Sequence, residues 1–211
     1  MMAIHFTNPQ STFIHIPKTG GSSFEQWCYD NIEYDRQEKH ATLLDAKRIW
    51  PNLGTTFTFI RNPFDRMVSM FHFIGQRAIE RIEMRKQGQR TKKSTNQHDD
   101  LLISDYYYKG FENWIEEHSQ NIHNPFDLGI WLYERKTPMV CWTNNEIDIV
   151  IKIENIESKI CIIEDLFKKK INLPYLNKSV RKHYKHYYNT NTKKIVENLF
   201  RKDLETFGYN F

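Results

Sequence analysis

The sequence predicts an α/β protein with a central, mainly parallel sheet flanked by helices. Two observations lead to this fold class. Short runs rich in β-branched and aromatic residues alternate with segments of helical periodicity, and the two clearest runs, residues 12–16 and Thr55–Ile60, are each followed by a helix start. Strands that alternate with helices in this way favour a parallel sheet.

Helices are predicted between and after these two strands. The first covers residues 22–31, and a short one covers residues 43–50. The strongest covers residues 63–74, because Asn62 can cap it, a proline suits the first helical position and an acidic residue lies in the first turn. Helical periodicity continues over residues 78–86, in the same helix or in a new one.

The second half of the chain has weaker signals. Residues 88–100 are polar and aperiodic, which indicates a mobile loop inside the domain. A short helix is predicted over residues 111–118 and a strand over residues 147–153, whereas residues 161–163 fit a short strand or the start of a helix. The apolar stripe of residues 192–207 predicts one terminal helix.

The bulk composition narrows the class of protein. At 211 residues the chain is expected to form a single domain over residues 1–211, with a polar insertion around residues 86–105. No apolar run approaches the roughly 18–20 residues of a membrane span, and no signal peptide is expected. Three widely spaced cysteines indicate free thiols, so a cytoplasmic protein is expected. No metal site is predicted, because the cysteines and histidines do not have the spacing of metal ligands. The net charge of +4 suits an anionic ligand.

A glycine-containing turn joins the first predicted strand to its helix. Glycines let the backbone approach a ligand closely, and a helix N-terminus presents N–H donors to an anion. The cationic, backbone and hydroxyl groups that suit a phosphate or sulfate belong to Lys18, Thr19, Gly20, Gly21, Ser22 and Ser23. This is not a Walker A loop, in which the lysine follows the glycines. The alternative is a plain helix start, in which Ser22 to Glu25 form a capping box.

The second strand ends at a junction of the same kind. Arg61 closes the strand, and Ser69 lies eight residues on, about two turns into the next helix. A guanidinium and a hydroxyl at this spacing can clasp one phosphate from two sides. The alternative is an ordinary salt bridge between Arg61 and Asp65 at the helix start. Two such junctions on one chain indicate a ligand with phosphate-like groups at both ends.

Taken together, the two junctions resemble those of the carbohydrate sulfotransferases that use 3′-phosphoadenosine-5′-phosphosulfate (PAPS). The branch concerned includes the heparan sulfate 2-O-sulfotransferases and their bacterial relatives. Residues 17–23 match the 5′-phosphosulfate loop of that family, and residues 59–69 match its 3′-phosphate segment. Weaker matches lie at residues 39–42, 176–179 and 203–209. The resemblance implies a P-loop-like, three-layer α/β domain.

The resemblance also implies a reaction, in which a sulfuryl group passes from PAPS to an acceptor hydroxyl and leaves adenosine 3′,5′-bisphosphate. No metal is required, because cationic side chains supply the charge. Lys18 and the amides of residues 19–23 are expected to hold the 5′-phosphosulfate and to stabilise the leaving oxygen. Arg61 and Ser69 are expected to hold the 3′-phosphate.

The remaining site residues also follow from the resemblance. His40 is expected to be the general base, since an imidazole suits proton abstraction near neutral pH. His15 is its competitor, but its place in a predicted strand favours a buried core histidine. Lys178, Ser179 and Arg181 are expected to contact the nucleotide.

The acceptor is predicted only by class, as a carbohydrate or another hydroxyl-bearing molecule. Arg77, Arg81 and Arg85 recur at helical spacing, and they either face an acidic glycan or form a solvated helix face. Specific nucleic-acid binding is not expected. Two other functions stay open: a divergent P-loop kinase for a nucleotide or small molecule, which would need magnesium and ATP, and a non-catalytic nucleotide- or glycan-binding module.

Overall fold

The computed structural model describes residues 3–36, 41–91, 96–120, 137–174, 176 and 181–211. These residues fall into two compact units. The first unit comprises residues 1–62, 137–178 and 202–210, and the second comprises residues 63–136, 179–201 and 211. The single domain expected from the sequence stays a prediction.

The secondary structure alternates between strands and helices through the first half of the chain. The strands are β1 (Ile4–Thr7), β2 (Gln10–Ile14), β3 (Asp35–Arg36), β4 (Thr55–Ile60) and β5 (Ile149–Lys152). The helices are α1 (Gly21–Asn31), α2 (Leu43–Ile49), α3 (Pro63–Lys86), α4 (Gln97–Lys109), α5 (Phe111–Gln120), α6 (Val140–Thr143), α7 (Ile156–Lys159), α8 (Cys161–Phe167), α9 (Thr190–Leu199) and α10 (Arg201–Phe207). Short 3-10 turns occupy Ile153–Asn155 and Tyr184–Tyr187.

The first unit is built on a sheet, which over the described residues has five strands in the order β3-β1-β2-β4-β5. β2, β4 and β5 are parallel neighbours, with Phe13 opposite Phe57 and Phe57 opposite Ile149. β1 pairs antiparallel with β2 and with β3. The predicted α/β fold with a mainly parallel sheet is confirmed, although β1 and β3 add an antiparallel edge that the sequence reasoning missed.

Helices cover both faces of this sheet because its strands alternate two kinds of apolar side chain. In β4, Phe57 and Phe59 point to one face, whereas Ile60 points to the other. The phenylalanine face packs against α1 and α8 through Phe24, Trp27 and Ile163. The opposite face packs against α2, α6 and α10 through Leu43, Ala46, Trp142 and Phe207. The first unit therefore has three layers, as expected for a P-loop-like domain.

The described residues of the second unit form α3, α4, α5, α9 and the 3-10 turn at Tyr184–Tyr187. Asp100, which is fully buried, accepts hydrogen bonds from Arg81 at 2.6 and 2.8 Å and from Arg85 at 2.5 Å, and so joins α3 to α4. A buried carboxylate binds both guanidinium groups, so Arg81 and Arg85 do not form a fully solvated helix face, and their contact with an acidic glycan stays a prediction. Arg77 is exposed and pairs with Glu80.

Two predicted elements differ from the structure. Residues 97–100 belong to α4, because Asn96 caps that helix by accepting the N–H of Asp99, so the predicted loop ends earlier. The terminal helix is divided at Phe200, whose backbone leaves the helical region although its side chain stays buried. Within the described part of the chain, no helix combines the length and the apolar character needed to cross a membrane.

Candidate functional site

The turn after β2 has two residues in the left-handed backbone region. Lys18 has φ 68°, which is uncommon for a residue with a side chain, and Gly20 has φ 90°. Gly20 is the N-cap of α1, and no side chain caps this helix. The predicted capping box of Ser22 and Glu25 is therefore wrong, since the helix begins at Gly21. Alternating backbone conformations of this kind turn successive N–H groups toward a common point, which suits an anion.

Gly21 is required by the packing of a histidine. A Cβ atom at Gly21 would lie 2.2 Å from Cδ2 of His15, so only glycine leaves room for the ring. His15 is buried, and its Nδ1 lies 3.9 Å from a carboxylate oxygen of Glu25. The expectation that His15 is a core histidine agrees with this burial. Its ring supports the loop from below the start of α1.

Side chains within the loop divide into supporting and accessible groups. The hydroxyl of Thr19 is buried and donates to the carbonyl of Ile16 at 2.9 Å, which braces the turn. The N–H of Ser23 donates to the carbonyl of Gly20 at 3.1 Å and closes the first helical turn. Lys18, Ser22 and Ser23 are partly exposed. The loop thus offers a cation and hydroxyl groups at the N-terminus of α1.

The second predicted cation lies beside the first loop. Nη1 of Arg61 donates to the carbonyl oxygen of Lys18 at 3.3 Å. This contact arises because β2 and β4 are parallel neighbours, whose carboxyl ends meet at one edge of the sheet. The structure therefore brings Arg61, the cation of the second predicted junction, next to the first junction within the first unit, whereas Ser69 belongs to the second unit.

Glu154 belongs to this edge, and the sequence reasoning missed it. It follows β5 and accepts the backbone N–H of Asn62 at 2.6 Å and the hydroxyl of Tyr209 at 2.9 Å. The side-chain amide N–H of Asn62 donates to the carbonyl of Asn210 at 2.9 Å, and the predicted capping of α3 by this residue stays a prediction. No local pattern marks Glu154, since its partners lie far away in sequence and only the fold assembles them.

A cavity of about 660 Å³ adjoins the loop in the first unit. Gly20 and Ser23 line it on one side, and the chain from Ile153 to Pro174 lines it on the other. Its apolar lining comes from Ile153, Ile156, Ile160, Ile171, Leu173 and Pro174. Pockets of this size, mainly apolar with a few polar groups, are typical of small-molecule and nucleotide sites.

In the second unit, the first turns of α3 bind the segment that begins at Arg181. Asp65 accepts a hydrogen bond from Arg181 at 2.5 Å, and the carbonyl of Phe64 accepts the hydroxyl of Tyr188 at 2.9 Å. Asp65 thus pairs with Arg181 within the second unit, and the alternative salt bridge between Arg61 and Asp65 stays a prediction. Ser69 lies one turn after Asp65 on the same face of α3 and is buried.

His72 continues this face of α3 and lies between two tyrosines. Its Nδ1 is 3.0 Å from the hydroxyl of Tyr107, and its Nε2 is 2.9 Å from that of Tyr187. Burial, and then the positive charge of Arg181, lower the pKa of His72 below its ordinary value. The imidazole is therefore neutral at physiological pH and bridges α4 to the 3-10 turn.

The C-terminal segment of the chain has a structural role. Asp203 is fully buried and accepts the backbone N–H groups of Met139 and Val140 at 2.8 and 2.9 Å. It therefore anchors the start of α6, where a carboxylate suits the N–H donors of a helix N-terminus. Three predicted site residues, His40, Lys178 and Ser179, lie outside the described residues.

Comparison with known protein families agrees with this arrangement. The model described as the sulfotransferase family matches residues 6–210, a span that includes both strand-end junctions and the C-terminal segment. No curated protein matches the chain at a significant level. With almost the whole chain covered by the family model, this protein belongs to the sulfotransferase family.

Proposed function

We propose that this sulfotransferase takes its sulfuryl group from PAPS and transfers it to a hydroxyl group of a carbohydrate. Membership of the family supports sulfuryl transfer in general, and the donor and acceptor are the proposal. The observation that carries it is the contact between Arg61 and the carbonyl of Lys18 at 3.3 Å. Two cations that the motifs predict to bind phosphate therefore lie at one edge of the sheet, which supports a donor with phosphate groups at both ends.

The residues of the first unit fit such a donor. We assign the 5′-phosphosulfate to Lys18 and to the amides of residues 19–23, at the N-terminus of α1. We assign the 3′-phosphate to Arg61, whose planar guanidinium binds phosphate oxygens well. The neighbouring cavity of about 660 Å³, with its isoleucine-rich lining, suits the purine ring. The proposed contacts of Ser69, Lys178, Ser179 and Arg181 rest on the sequence motifs.

In the transfer, a bond forms between the acceptor oxygen and the donor sulfur while the bond from sulfur to the 5′-phosphate oxygen breaks. Lys18 and the amides at the start of α1 stabilise the negative charge that develops on the leaving oxygen. The proton of the acceptor hydroxyl passes to a general base, which we propose to be His40 on its match to the family's histidine segment. No charge in this scheme depends on a metal.

The carbohydrate acceptor is proposed from the branch of the family that the motifs resemble. We do not assign Arg81 and Arg85 to its binding, because both guanidinium groups pair with the buried carboxylate of Asp100. Lys18 is instead the cation near which an acceptor must approach the sulfuryl group, since Arg61 is assigned to the 3′-phosphate at the other end of the donor. An acidic glycan would therefore have to bind through other residues.

The test is transfer of labelled sulfate from PAPS to a panel of acceptors. The panel comprises an acidic polysaccharide, a neutral oligosaccharide and a tyrosine-containing peptide, with Lys18→Ala as the inactive control. We expect label on a saccharide and none with Lys18→Ala. Label on the peptide alone would contradict the carbohydrate assignment. Transfer of phosphate from ATP with magnesium, without sulfate transfer, would favour a kinase instead.

A further inference from the structure

One carboxylate holds the turn that follows Arg61. Oε1 of Glu154 accepts the backbone N–H of Asn62 at 2.6 Å, and Oε2 accepts the hydroxyl of Tyr209 at 2.9 Å. In the register of β4 and β5, Ile60 lies opposite Lys152. Two residues further on, Glu154 comes level with Asn62, so its side chain binds a backbone N–H just beyond the end of the ladder.

The C-terminal segment holds the same turn from the other side. Nζ of Lys152 donates to the carbonyl of Gly208 at 3.2 Å and lies 4.3 Å from the ring centroid of Tyr209. The side chain of Asn62 donates to the carbonyl of Asn210 at 2.9 Å. Burial, and then the charge of the neighbouring carboxylate, raise the pKa of the Tyr209 phenol, so the phenol stays protonated and donates its hydrogen bond.

The position of this carboxylate is unfavourable for anion binding on charge alone. A negative side chain near Arg61 repels an approaching phosphate. Its two oxygens are nevertheless both engaged, one by the backbone directly after Arg61 and one by Tyr209, whose pKa also responds to the charge of Arg61. Because the charge of Glu154 disfavours anion binding, we infer that the contribution of this carboxylate is to hold the turn after Arg61.

We propose that Glu154 is a positioning residue of the anion site, which, together with Tyr209, fixes the peptide between Arg61 and Asn62 and so directs the Arg61 guanidinium to the 3′-phosphate. This inference rests on the proposed function. Glu154 touches neither donor nor acceptor, and it acts only through Arg61. Its loss should weaken binding of ligands that carry a 3′-phosphate and spare those that lack one.

The test is isothermal titration of the full chain with adenosine 3′,5′-bisphosphate and with adenosine 5′-monophosphate, which lacks the 3′-phosphate. We expect Glu154→Ala to weaken bisphosphate binding by about five- to tenfold. A loss of this size corresponds to the net contribution of about one hydrogen bond. Monophosphate binding should change by less than about twofold. Glu154→Gln should restore bisphosphate binding, because its amide oxygen still accepts the N–H of Asn62. If Glu154→Ala does not fold, Tyr209→Phe removes only the hydroxyl and should show the same selectivity.

Asp148 provides a matched control at the opposite end of the same strand. Its carboxylate accepts the N–H and the hydroxyl of Thr56 at 2.7 and 2.6 Å. Like Glu154, it therefore binds a backbone N–H of β4 or its end and a hydroxyl group, but at the end of the strand away from Arg61. Asp148→Ala should lower thermal stability and bind bisphosphate as wild type does. The inference is overturned if Asp148→Ala and Glu154→Ala lose the same affinity for the bisphosphate, or if Glu154→Ala keeps the wild-type affinity. In either case, binding of the bisphosphate by the wild type still supports the proposed function. A wild type that binds no bisphosphate overturns both.

Discussion

Arg61 donates a hydrogen bond from Nη1 to the carbonyl oxygen of Lys18, over 3.3 Å. The two residues follow neighbouring parallel strands, and each carries a cation that the sequence marks as a phosphate ligand. Lys18 has a left-handed backbone with φ 68°, which costs free energy in a residue with a side chain. The bond from Arg61 helps to hold that conformation, so Arg61 supports the loop as well as supplying charge.

Replacing Arg61 should therefore weaken nucleotide binding strongly. Arg61→Ala is expected to lower the affinity for adenosine 3′,5′-bisphosphate by about ten- to hundredfold, because charged hydrogen bonds contribute about 1.5–3 kcal/mol. Arg61→Lys should recover little, since an ammonium lacks the planar fork of donors. Titration calorimetry measures both. Arg48→Ala, an exposed arginine on α2 paired with Asp45, is the control and should bind normally; an equal loss there would mean that general charge alone drives binding.

Gly21 should not tolerate a methyl group. A Cβ atom there would meet the ring of His15 at 2.2 Å, so Gly21→Ala must displace the ring or the start of α1. We expect a loss of about 1–3 kcal/mol in the free energy of unfolding, as in other overpacked sites, together with weaker bisphosphate binding. Chemical denaturation and calorimetry measure the two effects. Adding His15→Ala should restore part of the binding, and a Gly21→Ala variant as stable as wild type would disprove the contact.

The pH dependence of stability should carry a contribution from His72. Its pKa is lowered in the folded protein, by burial first and then by the charge of Arg181. As the pH falls through about 6.5 the unfolded chain binds a proton here and the folded chain does not, so the folded state loses stability. The slope is at most about 1.4 kcal/mol per pH unit for one proton.

His72→Gln should remove this contribution and flatten the stability curve below about pH 6.5. Urea denaturation at a series of pH values measures it as the difference between wild type and variant. His98→Gln, at an exposed position on α4, is the control and should keep the wild-type slope. A variant His72→Gln with the full wild-type slope would show that His72 is protonated in the folded state as readily as in the unfolded one.

The buried ion triad of Asp100 should matter for stability and not for the acceptor. Asp100→Asn leaves Arg81 and Arg85 without their counter-charge, and we expect a loss of about 3 kcal/mol or more in the free energy of unfolding. Arg77→Ala removes an exposed pair with Glu80 and should cost less than about 1 kcal/mol. Denaturation curves compare the two. An Asp100→Asn variant with normal stability and an altered KM for the acceptor would return these arginines to the acceptor site.

The fold was predictable where local pattern and tertiary packing agree. β4 and the start of α3 match the sequence prediction because alternating aromatic residues, a proline at the first helical position and an acidic first turn all act locally. β1 was missed because a run of four residues close to a proline shows no clear strand periodicity. Its antiparallel pairing with β2 forms the strand. The break at Phe200 was missed because its side chain continues the apolar stripe through the interruption.

The candidate site was predictable only for residues in compact motifs. Lys18 and Arg61 could be identified because each lies at a strand end beside a helix start. Glu154 could not, and the match at residues 203–209 did not reveal the role of Tyr209. Glu154 binds partners 92 and 55 residues away, which only the register of β4 and β5 and the C-terminal segment bring together. The buried pairing of Arg81 with Asp100 was also missed, because arginines at helical spacing usually face solvent and their partner lies on another helix.

The most direct measurement of the central claim is the ligand selectivity of the wild-type protein in titration calorimetry. The ligands are adenosine 3′,5′-bisphosphate, adenosine 5′-monophosphate and ATP with magnesium. If Lys18 and Arg61 hold the two ends of one nucleotide, the bisphosphate should bind at least about tenfold more tightly than either other ligand, since each charged contact is worth more than about 1.4 kcal/mol. Equal affinity for the monophosphate, or preference for ATP with magnesium, would contradict the account.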